Sequence, residues 1–392
     1  MNTSQVIYLP LENMDSRYTV MMNNSIIKEM KNFCRKDDCY IPYRIVFPTE
    51  QNLVIESGQF LDVNKTIEFK AKQLAEVSQL FSAGQITEGT LFIVADVFFP
   101  GLESIKYMAE LSGIEVSIFA FNHAGRADSS DFVQKLSDWS NYSETAWHAI
   151  CDRVYVGSQK HLKNVSKFLS KMRQTHQVVK FENRTNFKTS KIVSIVDNGI
   201  IWDLDYMDTI LSNEDALSQK EDFIIWPHRI CPEKGYLEML AMAATTDTKV
   251  LVTSSGAFSG QQQELLDHHL DITPKNVVFK ENLSKREYFA YMKKAKWYLS
   301  TARQENFGYT LQEAIYYRCR VLAPNSACYP DFLSEENLYF LSASPWQNFN
   351  HAVFEINMMQ LLEHSIVPAF EITEKYHNNA KALFWGLEKN NV

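Results

Sequence analysis

Glu305 and Glu313 stand eight positions apart in the run Glu305-Asn306-Phe307-Gly308-Tyr309-Thr310-Leu311-Gln312-Glu313-Ala314, directly after an apolar, strand-like stretch over residues 297–300. A strand that ends in Phe-Gly and opens into a helix leaves the first carboxylate in the connecting loop and carries the second into the helix. The backbone N–H groups of Phe307, Gly308, Tyr309 and Thr310 gather at that helix start, where an anionic group is favoured. Such an end suits a diphosphate. Upstream, Arg229-Ile230-Cys231-Pro232-Glu233-Lys234-Gly235 follows the apolar run 223–226 and precedes a helix-like stretch over 236–244. Arg229 offers a planar fork of donors and Lys234 a compact point charge, a pair able to neutralise a diphosphate leaving group. Taken singly, each run also fits a solvated surface loop.

The elements that must position these loops alternate between strand and helix. In the first half, strands are expected at residues 5–9, 43–47, 91–95 and 115–121, with helices at 25–33, 67–81 and 104–112. The second half repeats the layout from about residue 191 to 341, followed by helices at 346–362 and 372–389, with a linker placed near 181–190. This regularity implies an α/β fold with parallel sheets and right-handed crossovers, whose ligands sit at the carboxyl ends of the strands. His123 and Asp96 close two such strands, and Arg17 lies in the first strand-to-helix loop. A lone His is equally well a structural one, and Asp96 equally well a cap.

At 392 residues the chain suits two domains rather than one core. Its 45% hydrophobic and 22% charged residues describe a globular rather than a disordered protein. No apolar run approaches the length needed to span a bilayer, and Met1-Asn2-Thr3-Ser4-Gln5-Val6 lacks a basic-then-apolar leader, so the cytoplasm (that of a host, if the protein is viral) is the expected compartment. Six scattered cysteines, without metal-ligand spacing, read as reduced, packed thiols. The net charge of −8 argues against nucleic-acid binding through bulk electrostatics while leaving room for a local basic groove. Arg184, Lys188 and Lys191 form one short basic stretch that also fits a solvated loop. No exposed basic amphipathic helix of the membrane-docking kind is apparent. Asp203-Leu204-Asp205 has the spacing of a metal-binding pair but reads as a turn or helix start. No metal site and no resident cofactor are expected.

Together the Arg-x4-Lys-Gly loop and the Glu-x7-Glu segment resemble the retaining GT-B glycosyltransferases of family four, in which both lie in the C-terminal nucleotide-sugar domain. Asp152-Arg153-Val154-Tyr155-Val156-Gly157-Ser158, Asp197-Asn198-Gly199-Ile200 and Asn276-Val277-Val278-Phe279 add to the likeness, which covers roughly residues 152–333. The Gly-Gly opening loop usual in that family is replaced by Pro10-Leu11-Glu12-Asn13-Met14-Asp15-Ser16-Arg17-Tyr18-Thr19. The resemblance implies two Rossmann-like domains with parallel sheets facing a central cleft. Residues 1–185 would bind the acceptor, 186–370 the nucleotide sugar, and 371–392 would cross back as a helix. It further implies metal-independent, retaining transfer from a UDP-linked sugar as co-substrate. Arg229 and Lys234 would stabilise the diphosphate, Glu305 would face the sugar and Glu313 would hold the ribose. Phe307, Gly308, Tyr309 and Thr310 would complete the donor site, and His123 would contact the transferred sugar.

The opening segment and the residue usage are also similar to bacteriophage glycosyltransferases that decorate hydroxymethylated bases in DNA, including those that add arabinose to hydroxymethylcytosine. That likeness implies an acceptor hydroxymethyl group on a DNA pyrimidine. It makes DNA a partner, with Arg17, Asp96 and Arg126 as acceptor-binding residues and Phe98, Phe99 and Lys160 as further contacts to an extruded base or its phosphates. A cytosolic transferase acting on a glycan, lipid-linked sugar or small molecule is the alternative enzyme. A non-catalytic protein that binds a nucleotide or nucleic acid is the alternative outside enzymes.

Overall fold

The structure, a computed structural model, describes residues 3–14, 17–35, 40–48, 63–129, 131–176, 194–196, 200–211, 219–258, 260–339, 358–377 and 379–388. The expected linker at 181–190, the basic stretch around it, Asp197-Asn198-Gly199 and most of the helix expected at 346–362 lie outside the described residues. The chain divides into two compact units, Met1–Glu56 with Phe60–Asp203 and Tyr376–Val392, and Ser57–Gln59 with Leu204–Lys375.

The first unit carries strands β1 (Gln5–Leu9), β2 (Tyr43–Ile45), β3 (Thr90–Val94), β4 (Val116–Asn122), β5 (Arg153–Val156) and β6 (Ser194–Val196). Its helices are α1 (Thr19–Cys34), α2 (Val63–Ser82), α3 (Glu103–Leu111), α4 (Trp139–Ile150) and α5 (Gln159–His176). The strands form one parallel six-stranded sheet in the order β2-β1-β3-β4-β5-β6. Central strands of such a sheet are covered on both faces and so read as unbroken apolar runs; Leu91, Phe92, Ile93 and Val94 of β3 are all buried. Because β6 completes this sheet beside β5, the division between the units falls after Asp203 rather than at 185/186. The helix expected at 25–33 begins six residues earlier, since the Pro10-to-Tyr18 loop is shorter than its polar residues imply.

The second unit carries α6 (Leu204–Ile210), β7 (Glu221–Trp226), α7 (Tyr236–Ala243), β8 (Lys249–Thr253), α8 (Gln261–His268), β9 (Val277–Lys280), α9 (Lys285–Lys294) and β10 (Ala295–Leu299). It continues with α10 (Tyr309–Tyr316), β11 (Arg320–Pro324), β12 (Leu338–Tyr339), α11 (Met358–His364) and α12 (Glu371–His377), within which the division between the units falls. Its sheet is again parallel, ordered β12-β11-β10-β7-β8-β9. Helix α9 opens with a reciprocal capping box between Ser284 and Glu287 and ends in Lys293 and Lys294, the charge order a helix dipole favours. The last helix, α13 (Asn379–Glu388), belongs to the first unit: Ala380, Leu383 and Phe384 share a core with Met22, Ile26 and Met30 of α1, and Asn379 donates to Ile200 O at 2.7 Å.

Both sheets reverse direction once. In the first, β1 has β2 on one side and β3 on the other; in the second, β7 has β8 on one side and β10 on the other. Loops that leave adjacent strands in opposite directions part at such a point and open a crevice at the strands' carboxyl ends. The loops singled out in the sequence follow β7 and β10 in one unit and β1, β3 and β4 in the other.

One expectation is overturned. Helix α5 is a basic amphipathic helix with an exposed face: Lys160, Lys163, Lys167 and Lys171 are exposed, while His161, Val165, Leu169 and Met172 are buried. Cys34, Cys151, Cys319 and Cys328 are buried free thiols, and burial pushes Cys34 up to about 12 and Cys319 up to about 11. No helix among the described residues is long and apolar enough to cross a membrane.

Candidate functional site

Two loops at the switch point of the second sheet are stitched together by a glycine. Gly235 sits in the left-handed region at φ 68°, and a Cβ there would stand 2.2 Å from Thr301 O, so the backbone of the first loop meets that of the second with no room for a side chain. Thr301 Oγ1 donates to the carbonyls of Lys234 (2.8 Å) and Gly235 (2.9 Å) and accepts from Trp226 Nε1 at 2.8 Å. Arg303 N–H donates to Glu233 O at 2.9 Å. The result fixes the position of Lys234, whose ammonium donates to Gln304 O at 2.8 Å and to Glu305 Oε2 at 3.1 Å. The other oxygen of Glu305 accepts the Gly308 N–H at 3.2 Å. Gly308, at φ 75°, is the cap residue of α10, so Glu305 closes the turn that launches the helix.

These charges sustain one another. Burial alone would raise the Glu305 carboxyl, yet the Lys234 charge, its hydrogen bond and the Gly308 N–H together hold it below the usual range. Burial likewise draws the Lys234 ammonium down, and Glu305 more than offsets this. Arg229 lies at the rim of the same loop, paired with Glu233 at 2.6 Å and still more than a third exposed. A partly solvated guanidinium beside a fixed ammonium can exchange its Glu233 partner for an incoming phosphate.

His228 is a member of this site that the sequence reading passed over. Its ring is buried against Trp226 and Tyr298, and Tyr298 OH meets its Nε2 at 3.5 Å, the outer limit of a hydrogen bond. Burial, reinforced by Lys234, lowers it to about 3, so it is a neutral imidazole in a cationic loop. The available signal was its place, directly before Arg229 at the end of β7.

Glu313 lies in the second turn of α10 and is buried, accepting from Tyr288 OH at 2.5 Å and facing Lys285 Nζ at 3.6 Å; burial raises its carboxyl. Thr310 Oγ1 shares a hydrogen bond of 3.0 Å with Tyr298 OH. Phe307 is buried edge-on to Tyr309 and Phe332 and anchors the loop, while Tyr309 keeps part of its ring in solvent. Of the N–H groups expected to face an anion, that of Gly308 is taken by Glu305.

In the first unit the strand ends bring several of the expected residues together. His123 Nε2 donates to Ala95 O at 2.8 Å, its ring is 5.3 Å from that of Tyr18, and the Arg17 guanidinium lies over the Tyr18 ring at 5.8 Å. Burial lowers His123, with Asp96 acting to raise it and Lys70 and Arg17 to lower it. Asp96 is committed to an ion pair with the buried Lys70 at 2.9 Å and accepts the Phe98 N–H at 3.0 Å. It therefore braces its own turn.

Two expectations fail here. Arg126 is nine-tenths buried and its guanidinium is engaged inward, by Asn141 Oδ1 at 2.7 Å and the carbonyls of Val133 at 2.9 Å and Leu136 at 3.2 Å, so it does not present a cation to an acceptor. A short loop that must pack back on α4 needs its carbonyls satisfied, and Arg126 does that. Phe99 is likewise a core residue rather than a stacking surface, and Phe98 packs edge-on against Trp147. Lys160 is exposed at the start of α5. Asp203 accepts from Ser25 at 2.5 Å, and α6 starts at the next residue, as the turn reading has it.

The same strand ends hold a buried polar cluster with no sequence signature. His148 Nδ1 donates to Glu144 O at 2.8 Å, which leaves its Nε2 to accept from Asn122 Nδ2 at 2.9 Å. Glu144 Oε2 accepts the Arg126 N–H at 2.8 Å, and its Oε1 would lie 2.5 Å from a Cβ on Gly125. Burial pushes the Glu144 carboxyl up to about 8, and His161 down to about 3. Among the described residues no group of three His, Cys, Asp or Glu is placed to hold a metal ion.

Comparison with known proteins agrees with this architecture. Residues 208–381 match the family described as Glycosyl transferases group 1. A stretch of 126 residues is 29% identical to the tRNA-queuosine alpha-mannosyltransferase of Drosophila melanogaster, covering 31% of this chain and 33% of that protein. Among solved structures, sucrose-phosphate synthase of Thermosynechococcus elongatus superposes with a TM-score of 0.60 at 12% identity, over 97% of this chain and 95% of that one. The trehalose 6-phosphate synthase of Burkholderia multivorans does so with a TM-score of 0.59 at 10% identity, over 98% and 95%. HepE of Anabaena, in complex with UDP-glucose, reaches 0.56 at 11% identity, over 98% and 99%. The chain thus has the GT-B fold, two parallel-sheet α/β domains, with its glycosyl transferase group 1 match lying almost wholly in the second unit.

Proposed function

We propose that this protein is a retaining, metal-independent glycosyltransferase that moves a sugar from a nucleotide diphosphate, UDP by preference, to the hydroxymethyl group of a modified pyrimidine in DNA. The observation that carries the donor half is the Lys234 ammonium fixed beside Glu305 by the contact of Gly235 with Thr301. A diphosphate leaving with its charge neutralised needs preorganised cations where charge develops. Lys234, Arg229 and the start of α10 supply them, which is why no metal is invoked. Glu305 faces the sugar and Glu313 the ribose hydroxyls. His123, with Arg17 at the same strand ends, serves the transfer from the first unit. The UDP and UDP-glucose complexes of HepE are the reason to place UDP first.

The acceptor half rests on the opening segment and its likeness to phage enzymes that modify DNA bases. The name of the Drosophila relative, which acts on a modified nucleoside of tRNA, favours a second reading: a hydroxyl on an RNA nucleoside. Labelled nucleotide sugars offered with hydroxymethylated DNA, unmodified DNA, tRNA, a simple glycan or no acceptor separate these. Transfer to hydroxymethylated DNA alone is expected. Transfer to tRNA or to the glycan, with none to DNA, overturns the DNA acceptor, and release of no sugar from any donor overturns the enzyme.

A further inference from the structure

Helix α5 has a composition that its own packing does not require. Over residues 159–176 it contains no Asp or Glu, in a chain whose net charge is −8. Its lysines recur at positions 160, 163, 167 and 171. At 3.6 residues per turn these fall within an arc of about 80°, along about 16 Å of helix. All four are exposed, with Gln159, Ser166 and Ser170 as their exposed neighbours. The opposite face, Val165 and Leu169 with Leu162 and Phe168 at its flanks, packs with Val156 and Ala127. Neither Lys163 nor Lys167 has a carboxylate within ion-pair distance among the described residues.

Lys163 and Lys167 stand four apart on that face with no acidic residue on α5 beside them, a like-charge pair that mildly disfavours the helix and that a polyanion would relieve. Two features select among polyanions. The apolar side of α5 is already buried in the unit, so no hydrophobic face is left to enter a bilayer, as an interfacial helix needs. The exposed face carries no aromatic ring on which unstacked bases could lie, as single-strand binders use. What it can meet is a regular row of phosphates, whose spacing in a duplex is one charge per about 1.7 Å of axis.

The stripe also begins in the right place. The chain passes from β5 to α5 through Gly157 and Ser158, where Ser158 caps the helix by accepting the His161 N–H at 3.2 Å. Val156, the last residue of β5, pairs with Asn122 of β4, so the start of α5 lies beside the turn that carries His123. The stripe therefore starts at the strand ends that hold His123 and runs away from them along the surface of the first unit.

We infer that the lysine face of α5 is a docking surface for the phosphate backbone of duplex DNA. This rests on the nucleic-acid reading of the acceptor and names the surface that would hold the duplex while one base is presented. The contact carries no sequence information, because phosphate contacts position rather than specify.

The test uses the full chain without nucleotide sugar, a fluorescein-labelled DNA duplex, a tRNA, and vesicles containing phosphatidylserine. Anisotropy is read from low to moderate salt for the wild type, Lys163→Ala/Lys167→Ala and Lys163→Arg/Lys167→Arg. Each phosphate contact contributes about 0.9 to the slope of log affinity against log salt, so the double alanine variant should flatten that slope by about two and the arginine variant should keep it. Its thermal midpoint should stay within about one or two degrees of wild type, as for surface substitutions generally. An unchanged slope in the alanine variant overturns the inference, as does tighter binding to tRNA, or to vesicles with none to the duplex. Because no sugar is transferred in this measurement, duplex binding lost in the variant while transfer fails in every protein would sink the proposed reaction and leave the docking surface standing.

Discussion

The strand-end loops of the second unit and those of the first solve the same problem, holding polar groups in a crevice, by opposite electrostatic means. In the second, the ionised pair Lys234 and Glu305 is kept charged by mutual contact and by the Gly308 N–H. In the first, Glu144, His148, His161 and His123 are shifted toward their neutral forms by burial, beside the ion pair of Lys70 with Asp96. A compensated pair is what stabilising a departing anion demands, since the charge must already be in place. A set of neutral donors and acceptors suits an uncharged hydroxyl and fixes the loops around it without attracting ions. The difference teaches that the two sets of loops are set apart by charge state as well as by residue type.

The comparison breaks first at Lys234. Lys234→Ala should lower turnover by about 10² to 10³, the cost of removing one preorganised charge stabiliser. Arg229→Ala, at the exposed rim, should cost less. Steady-state transfer rates decide it, and equal, small effects in both would mean the loop is only structural.

The neutral cluster is tested by pH. The Glu144 carboxyl titrates near 8 in the folded protein, well above its unfolded value. Folded chains therefore hold a proton that unfolded chains release. The associated stability is complete at acid pH, falls as pH rises from the unfolded value, and is gone once pH passes about 8. Between pH 5 and 8 the loss should be on the order of 2–3 kcal/mol, after allowance for relaxation around a buried group. Glu144→Gln keeps an acceptor for the Arg126 N–H and removes the titration. Urea unfolding at both pH values should show that decline in the wild type relative to the variant, and parallel profiles would refute the neutral reading of this cluster. The buried histidines titrate in the opposite sense and cancel in the comparison.

A finer division lies within the donor loops. Glu313→Ala should weaken nucleotide binding by about tenfold with a smaller change in turnover, and Glu305→Gln should do the reverse, since in the proposed reaction one carboxylate holds the bound nucleotide and the other faces the reacting sugar. Calorimetry with UDP beside steady-state kinetics separates them. The smallest expected effect is that of EDTA, which should leave transfer unchanged; loss of activity restored by a divalent ion would show that Arg229 and Lys234 do not suffice.

Much of the donor side was legible in the chain because its chemistry is local. Arg229, Lys234, Glu305 and Glu313 sit on two short strand-to-helix loops, and the glycines that shape them, Gly235 and Gly308, adjoin the charged residues in sequence. The first unit was legible only in outline. His123 and Asp96 could be placed at strand ends, but Arg126 looked like an acceptor cation, and nothing in its neighbourhood announces that its guanidinium turns inward to Asn141, Val133 and Leu136. The lysine stripe of α5 was present in the residue spacing and went unread, because its apolar partner face is weak until Val156 and Ala127 are seen to cover it.

What the sequence determined by itself is the alternation of strands and helices, and with it the parallel sheets and the types of residue at each loop, since periodicity and turn chemistry are local properties of the chain. What only the tertiary structure decided is which of those residues are charged, buried or free to meet a ligand. Protonation and exposure depend on neighbours brought in from distant elements, as Thr301 is to Gly235, Lys234 to Glu305 and Asn122 to His148, and no spacing along the chain encodes the dielectric that surrounds a side chain once it is folded.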